Sequence, residues 1–357
     1  MIFGVFSAGE DNNVKNKLTR RDFIRISAVG AGVLAAGGLG VKELITSAAE
    51  RQYSETKALL GTYITITLID SSQDNAKAKV NDTFAEIERL SSVFNRFDVT
   101  SELYRLNKSG QAIGASSEFV SVLSSAQYCA ELSGGAFDPT VLPALDLCQD
   151  SFAKTRLPPS SSQLDEVRYL VDYREMSIKG KDIILGRNGM AITLDGIAKG
   201  YIVDMATSYL RGRGVSQIIV EAGGDLALQG MREDGQPWKV GITHPRAYTG
   251  YYDVIQSSNA CMATSGDYEN AFTPDYKYNH IIDPRTGFSP QQLCSATIIA
   301  RDTLLADALA TAAMVMGVDE TLKLLESLDG AEALLIDKDL KSYTTSGYRV
   351  LSEHLGT

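Results

Sequence analysis

The chain has 357 residues, of which 44% are hydrophobic and 22% charged, and this composition is typical of globular proteins. It excludes a disordered, coiled-coil or collagen-like chain, and a mean hydropathy of −0.07 excludes a polytopic membrane protein. The formal net charge of −10 argues against non-specific binding to nucleic acid, which requires clustered lysine and arginine. At roughly 150 residues per domain, the length corresponds to two domains or one large one.

The N-terminal segment has the features of an export signal. Arg20 and Arg21 precede residues 26–41, an uncharged run of 16 residues with five glycines. This run is shorter than the roughly 20 residues that cross a bilayer as a helix. Weak hydrophobicity behind an arginine pair is typical of a twin-arginine (Tat) signal. The alternative is an amphipathic helix that begins a cytoplasmic domain, but the run has no polar face to place in water.

We therefore predict a Tat signal over residues 1–49, with small residues at 47–49 as a cleavage site, and a single functional domain over residues 50–357. Because Tat export carries folded proteins, the expected location is the periplasm or the outer face of the cytoplasmic membrane. If the signal is not cleaved, it provides a means of membrane association.

The remaining chain predicts strands and helices in an irregular order. Residues 62–69 alternate threonine with apolar residues, which predicts a strand. Apolar residues recur at steps of three and four over 74–94, which predicts an amphipathic helix. A second helix is predicted over 118–132 and ends before Gly134 and Gly135.

The second half is predicted to be richer in strands. Residues 157–162 are predicted to form a surface loop. Helices are predicted over 197–211, 302–316 and 319–328. Strands are predicted over 183–186, 190–194, 215–228, 237–244, 250–256, 259–264, 279–282, 294–300, 332–336 and 342–345. No repeat or low-complexity linker divides the chain, so we predict an α+β fold in which a mixed sheet with flanking helices forms one core, with residues 74–172 as a helical lobe.

Cysteine and histidine content limits the metal chemistry. The four cysteines contain no CxxC pair, which excludes a zinc ribbon or thioredoxin-type motif, and we expect buried, inert thiols. Three histidines are too few for a His-rich metal site. Any bound metal is therefore expected to be a hard cation with oxygen ligands.

Two segments favour phosphate and metal chemistry. In residues 193–201, a strand ends, a turn containing Gly196 follows, and a helix begins with Lys199 in its first turn. A helix N-terminus and a lysine both attract phosphate, although an ordinary turn with an exposed lysine is equally compatible. Asp307 and Thr311 are four residues apart on a predicted helix, so their oxygens share a face that suits Mg²⁺ or Ca²⁺, although an aspartate satisfied by the threonine or by the backbone is at least equally compatible.

Three further polar turns accompany these segments. Glu221–Asp225 contains a glycine pair between apolar strand segments, which predicts a hairpin, a bulge or close ligand approach. Residues 263–268 and 280–287 are polar loops beside strands. A single histidine is usually structural. His280, however, lies among Asp, Arg, Thr and Gly residues, so a catalytic role and a structural role are equally compatible with the sequence.

In this order, the motifs resemble the ApbE family of FAD:protein FMN transferases, from about residue 57 to the C-terminus. The matching segments are LGT at 60–62, SEL at 101–103, GGAFDPTV at 134–141, DGIAKGYIVD at 195–204, AGGD at 222–225, WKVGI at 238–242, TSGDYE at 264–269, HIIDPRTG at 280–287 and ADALATA at 306–312. The last two segments, at this spacing, are the most specific.

The resemblance implies binding of FAD as substrate and of Mg²⁺, cleavage of the FAD pyrophosphate, transfer of FMN to a threonine of an acceptor flavoprotein, and release of AMP. It places the metal on Gly196, Asp307 and Thr311. It assigns catalysis to His280, with Asp283 as the alternative base. The cofactor-binding residues that it implies are Leu60, Phe97, Ala136, Phe137, Asp138, Thr193, Lys199, Gly224, Asp225, Thr264, Ser265, Gly266, His280 and Ile282.

The implied chemistry is physically coherent, because anhydride cleavage needs positive charge near the phosphates and the acceptor hydroxyl must lose a proton. The expected acceptor is an exported electron-transfer subunit. Two alternatives remain open. One is a Mg²⁺-dependent FAD pyrophosphatase that yields free FMN and AMP, and the other is a non-catalytic periplasmic flavin-binding protein.

Overall fold

The structure is a computed structural model, and it describes residues 52–247 and 250–353. The Tat signal predicted over residues 1–49 lies outside the described residues. The strands are β1 (Gln52–Leu59), β2 (Thr62–Ile69), β3 (Gln111–Ala112), β4 (Met176–Lys179), β5 (Asp182–Leu185), β6 (Ile218–Ala222), β7 (Asp225–Gln229), β8 (Trp238–Thr243), β9 (Tyr251–Ser257), β10 (Asn259–Gly266), β11 (Leu293–Ala300), β12 (Glu332–Asp337) and β13 (Ser342–Thr344).

Helices lie between these strands and include two short 3₁₀ turns at Pro139–Val141 and Tyr173–Glu175. The α-helices are α1 (Gln73–Phe94), α2 (Glu102–Ser109), α3 (Ser117–Leu132), α4 (Leu142–Thr155), α5 (Ser161–Arg168), α6 (Ala198–Gly212), α7 (Thr303–Leu325) and α8 (Tyr348–Leu351). Among the described residues, we find no helix with the length and apolar character needed to cross a bilayer.

An eight-stranded sheet organises the molecule, in the order β1-β2-β6-β7-β10-β11-β12-β13. The predicted α+β class is confirmed. Within the sheet, however, each pair of neighbouring strands is antiparallel, so the pairing is not mixed. The physical reason is connectivity, because β1–β2 and β6–β7 are tight hairpins that return the chain antiparallel to itself.

The two faces of the sheet are covered differently. Helices α1, α6 and α7 cover one face, and the main apolar core lies between them and side chains such as Ile66, Val220 and Ile298. The small β8–β9 sheet covers part of the other face, where Trp238 and Ile255 belong to a second apolar cluster. Burying both faces in this way makes the sheet a rigid platform.

Three loops meet at one end of this sheet. The β1–β2 turn holds Leu60 at a φ of 55°, and the β6–β7 turn contains Gly223 and Gly224, both at positive φ. The backbone N–H of Thr264, near the end of β10, donates to the carbonyl of Gly224 at 3.1 Å. The hairpin connections therefore bring motifs that are about 200 residues apart in sequence to a common edge.

Several sequence-based boundaries were wrong. The strand predicted over 215–228 is two strands, because the glycine pair makes a hairpin turn. No strand forms over 190–194 or 279–282. The break predicted between the helices over 302–316 and 319–328 is confirmed, because α7 consists of two helical segments that meet in a kink at Gly317, where φ is 78° and ψ is −168°; only the end of the second segment differs, at Leu325. Strand β1 and helices α2, α4 and α5 were not predicted.

The expectation of inert cysteines is confirmed. Cys129, Cys148 and Cys294 are buried, Cys261 is half-buried, and all four are free thiols. Burial raises the pKa of the Cys148 and Cys261 thiols to about 11. Because the thiolate is the reactive form, these side chains contribute packing rather than chemistry.

Candidate active site

Helices α6 and α7 lie so close together that a buried carboxylate on α7 accepts a hydrogen bond from the backbone of α6. Asp307, which is 4% exposed, accepts a hydrogen bond at Oδ2 from the backbone N–H of Gly200 at 3.1 Å. A Cβ atom on Gly200 would lie 2.9 Å from the Cβ of Asp307 and would also meet the backbone of Thr303. The glycine therefore permits the approach that places Asp307 against the start of α6.

Lys199 lies in a buried acidic cluster. Its ammonium forms an ion pair with Asp225, which is 1% exposed. Burial raises the pKa of Asp225 well above its usual range, and the neighbouring charge of Asp307 raises it further, while Lys199 opposes both effects. Burial also raises the pKa of Asp307. For Lys199, burial acts against the charged form, but the charges of Asp225 and Asp307 hold its pKa above the ordinary value.

Hydroxyl and main-chain oxygens lie beside this cluster. The hydroxyl oxygens of Ser265 and Thr311 are 3.3 Å apart, which joins the end of β10 to helix α7. A Cβ atom on Gly196 would lie 2.8 Å from Oγ1 of Thr311, so the turn before α6 packs directly on this hydroxyl. The structure thus brings Gly196, Asp307 and Thr311, which were predicted from separate motifs, to one place.

These residues fit the predicted Mg²⁺. The side-chain donors are the Asp307 carboxylate and the Thr311 hydroxyl, which are hard ligands of the kind that Mg²⁺ prefers, and the Gly196 turn that packs on Thr311 would add a main-chain oxygen. The two neighbouring carboxyl groups of Asp225 and Asp307 lie near a single ammonium, that of Lys199, and their pKa values are raised by burial, so a bound cation would favour their ionised forms. Over residues 52–247 and 250–353 there is no cluster of three His, Cys, Asp or Glu side chains with metal-binding geometry.

The ring of His280 is available for proton transfer. Its Nδ1 atom is buried and has no hydrogen-bond partner within the described part of the chain. Its backbone is fixed, since the N–H donates to the carbonyl of Asn270 at 3.1 Å. Burial lowers the pKa of His280, although the charges of Asp195 and Glu269 act in the opposite direction. The neutral imidazole that this environment favours at pH 7 is the form that accepts a proton.

Asp283, the alternative base, is engaged in its own loop. Its Oδ1 accepts from the backbone N–H and the Nε of Arg285, both at 2.9 Å, and its Oδ2 accepts from the same guanidinium at 3.1 Å. Its main-chain carbonyl also closes the turn by accepting from Gly287 at 2.8 Å. Because both carboxylate oxygens of Asp283 already accept hydrogen bonds, whereas Nδ1 of His280 has no partner within the described residues, the geometry favours His280 over Asp283 for proton abstraction.

Leu60 and Phe97 are exposed at the edge of the site. They are 36% and 56% exposed, respectively, which suits residues predicted to contact a bound ligand. The guanidinium of Arg96 lies 4.5 Å from the centre of the Phe97 ring. Arg96 also pairs with Asp195 at 3.4 Å and with Asp146 at 3.2 Å. Through Asp195, the loop of Phe97 is joined to the turn that contains Gly196.

Several of the predicted contact residues are buried in the protein interior, among them Ala136, Phe137, Thr193 and Ile282. Asp138 is also buried, at 7% exposure, and both its carboxylate oxygens accept hydrogen bonds within the protein. The partners of Oδ1 are the N–H and hydroxyl of Thr140, and the partner of Oδ2 is the N–H of Tyr173. In this state, Asp138 caps the 3₁₀ turn at 139–141 and stabilises the wall of the site.

The start of α6 offers fewer free donors than the sequence suggested. The N–H of Ala198 donates to the carbonyl of Leu194 at 2.8 Å, and the N–H of Gly200 donates to Asp307. Attraction of a phosphate group to this end of the helix therefore depends mainly on the Lys199 side chain rather than on unsatisfied backbone groups.

Sequence reasoning missed the contribution of Arg96 and gave Glu221 no role. Glu221 accepts from the N–H of Gly224 at 3.0 Å and braces the β6–β7 turn. Its Oε2 atom is buried without a hydrogen-bond partner in residues 52–247 and 250–353. The sequence gives only a weak local signal for the role of Arg96. This signal is an arginine followed directly by an aromatic residue, at positions 96 and 97, just after a predicted helix.

A cleft of about 640 Å³ lies between α3, α6 and the start of α7. Its lining includes Tyr128, Asp204, Arg211, Cys261 and Arg301. None of the predicted site residues lines it, and it lies at the end of the sheet opposite the β1–β2 and β6–β7 turns. The cleft is thus separate from the carboxylate cluster, and we locate the chemistry by the cluster rather than by the size of the cavity.

The sequence model that describes the ApbE family matches residues 60–335 of the chain. The chain belongs to the ApbE family. It is 30% identical over 271 residues to the FAD:protein FMN transferase of Vibrio cholerae, covering 74% of this chain and 81% of that protein. It is 29% identical over 343 residues to the FAD:protein FMN transferase of Haemophilus influenzae, covering 90% and 98% of the two chains.

The fold agrees with this assignment. The crystal structure of the ApbE protein from Thermotoga maritima has a TM-score of 0.77 and 30% identity to this chain, and it matches over 84% of this chain and 99% of that one. The resemblance inferred from the motifs is confirmed, and the chain is a transferase of the ApbE family.

Proposed function

We propose that this ApbE-family transferase moves the FMN moiety of FAD to a threonine hydroxyl of an acceptor protein, requires Mg²⁺, and releases AMP. The observation that carries this proposal is the buried cluster of Lys199, Asp225 and Asp307 beside the hydroxyl of Thr311. The imidazole of His280, whose Nδ1 atom has no hydrogen-bond partner within the described residues, would supply the base that the reaction needs.

The residues of this chain divide the reaction between them. Gly196, Asp307 and Thr311 would hold Mg²⁺, which supplies charge neutralisation at the phosphate oxygens when bound. Lys199 adds a positive charge close to the start of α6. The acceptor hydroxyl oxygen forms a bond to the FMN phosphorus, its proton passes to the imidazole of His280, and the bond from that phosphorus to the AMP phosphate breaks, so that AMP leaves.

We also propose the location and the class of the partner. The Tat-type sequence at Arg20 and Arg21 and the apolar run at 26–41 support export. The reaction would then take place in the periplasm or at the outer face of the cytoplasmic membrane, with an exported electron-transfer subunit as acceptor. A membrane contact would come from the N-terminal segment if the segment is retained.

One assay tests the reaction. Full-length protein is incubated with FAD, Mg²⁺ and a flavoprotein acceptor, with a Thr→Val acceptor as the matched control. Covalent flavin fluorescence on the acceptor alone, with an equal amount of AMP, is the expected result. AMP and FMN released at the same rate with or without acceptor would replace the transferase by an FAD pyrophosphatase. FAD binding with no AMP under any condition would indicate a flavin-binding protein.

A further inference from the structure

Arg246 makes a bidentate ion pair with a carboxylate that is fully enclosed. Nη1 of Arg246 lies 2.7 Å from Oδ1 of Asp267, and Nη2 lies 2.8 Å from Oδ2. Asp267 is 0% exposed. Paired, parallel hydrogen bonds of this kind fix direction as well as distance, which a single contact does not.

Asp267 directly follows the segment Thr264–Gly266, which is predicted to contact FAD. Its backbone N–H donates to the carbonyl of Cys294 at 3.1 Å, so both the backbone and the side chain of Asp267 are held. One residue inside this segment, Ser265, reaches the hydroxyl of Thr311. A shift of Asp267 would therefore be transmitted over two residues to the predicted metal site.

The other side of the Arg246 guanidinium faces the loop that leads to His280. It lies 4.4 Å from the centre of the Tyr276 ring. This loop is closed on itself, because the N–H of Phe272 donates to the carbonyl of Tyr278 at 2.7 Å. The N–H of His280 then donates to Asn270 at the other end of the loop. A contact on Tyr276 thus bears on the position of the His280 backbone.

The position of Arg246 is itself defined by its neighbours. Its N–H and that of Ala247 donate to Nδ1 of His244, at 3.1 and 3.0 Å. Lys338 lies 3.7 Å from Oδ2 of Asp267. Asp267 would consequently keep one cationic neighbour if Arg246 were replaced, so we expect variants of Arg246 to fold.

We propose that Arg246 is a positioning residue for flavin transfer, because it fixes the FAD-contacting segment 264–266 relative to the loop that carries His280. The expected effect of Arg246 on catalysis rests on the proposed function. The expected effect of Arg246 on the relative position of the two segments does not. It assigns a role to a side chain that belongs to none of the predicted catalytic, metal or FAD contacts.

The catalytic test compares Arg246→Ala and Arg246→Lys with Arg89→Ala. Arg89 makes a similar paired contact with Glu86 on α1, away from the site, and serves as the matched control. We expect Arg246→Ala to lower kcat for transfer by about 10- to 100-fold, the effect of misplacing reacting groups by about 1 Å. The Kd for FAD should change less than kcat, Arg246→Lys should be intermediate, and Arg89→Ala should retain kcat.

A double-mutant cycle with Tyr276→Leu tests whether the effect passes through the ring. If it does, the double variant should be no slower than Arg246→Ala alone, since the two residues would act as a unit. Multiplicative losses would show that Arg246 does not act through Tyr276. A lower Tm with unchanged kcat in Arg246→Ala would show that the ion pair only stabilises the fold, and this result would overturn the proposal.

Hydrogen exchange gives a readout that does not depend on the reaction. In Arg246→Ala, the amides of 264–267 and of 270–280 should both exchange faster, and the amides of α1 should not change. Failure of either segment to respond would contradict the coupling whether or not the enzyme transfers flavin. If wild-type protein shows no transfer, the proposed function fails, while the exchange data still decide whether Arg246 joins the two segments.

Discussion

Charge is concentrated in very few side chains at the site. Lys199, Asp225 and Asp307 are close together in an environment where water is largely absent, so each one strongly affects the protonation of the others. The two carboxylates outnumber the ammonium. A bound cation would restore the balance, and this gives a prediction that does not require turnover.

Asp307→Asn should remove the stabilisation that Mg²⁺ provides. The amide oxygen can still accept from Gly200, but it lacks the charge that attracts the cation. Without Mg²⁺ the variant should be at least as stable as wild type, because its repulsion with Asp225 is lost. The measurement is Tm with and without Mg²⁺, with Asp319→Asn, an exposed position on the same helix, as the control. An unchanged Mg²⁺-dependent rise in Tm would remove Asp307 from the metal site.

His280 should give the transfer reaction an acidic limb. Because burial disfavours the imidazolium, its pKa lies below the ordinary value of about 6.5, so the ring is neutral and competent at pH 7. We expect kcat to be constant above that pH and to fall as pH drops through the lowered pKa. His280→Ala should reduce transfer more than FAD affinity and should remove this limb. Equal losses in both would make His280 a binding residue.

Individual elements place these residues, and helices α6 and α7 do so through a close contact with each other. A glycine at position 200 lets the two helices meet, and Asp204 on α6 accepts from the N–H groups of Thr303 and Leu304, both at 2.9 Å. The start of α7 is thereby anchored to α6. The position of Asp307, one turn further along α7, follows from this contact.

Gly200→Ala should destabilise the protein by about 1–3 kcal/mol, because the new methyl group collides with the backbone of Thr303 and with Asp307. Gly212→Ala is the matched control at the other end of α6, where a Cβ would meet nothing within 4 Å. It should be neutral or stabilising by up to about 1 kcal/mol. Denaturant unfolding measures both, and equal effects would contradict the close helix contact.

The elements that sequence patterns placed wrongly have an identifiable cause. Residues 190–194 are apolar and extended, but Ile192 exchanges hydrogen bonds with the side chain of Asn107, both at 2.8 Å, rather than with a neighbouring strand. Residues 279–282 are similar, since Asn279 exchanges backbone hydrogen bonds with the hydroxyl of Ser289. An apolar pattern predicts burial, but strand formation also needs a backbone partner, which the pattern does not identify.

At the scale of the whole molecule, the protein has a net charge of −10, and its substrate is also an anion, so the overall charges repel each other. Binding of a dinucleotide must therefore depend on local positive groups rather than on the overall field. This local arrangement lies at the end of the sheet where the β1–β2 turn, the β6–β7 turn and the end of β10 meet. The cleft between α3, α6 and the start of α7 lies at the opposite end and is not part of this arrangement.

Export should depend on the arginine pair. Replacement of Arg20 and Arg21 by lysine should retain the precursor in the cytoplasm, because the Tat system recognises both arginines, whereas replacement of the nearby Arg25 should have a smaller effect. Cell fractionation followed by detection of the protein in each compartment gives the answer. Unimpaired export of the double lysine variant would contradict a Tat signal.

The sequence by itself determined the family, the α+β class, the four longest helices, and most strands, because local periodicity and short motifs are written in adjacent residues. It also identified Asp307 and Thr311 as neighbours, since one helical turn separates them. Only the tertiary structure decided that Asp225 and Lys199 lie beside Asp307, that Asp283 is occupied by Arg285, and that Arg246 joins two loops. These contacts join residues through the path of the chain and the burial of the sheet, which no local pattern encodes.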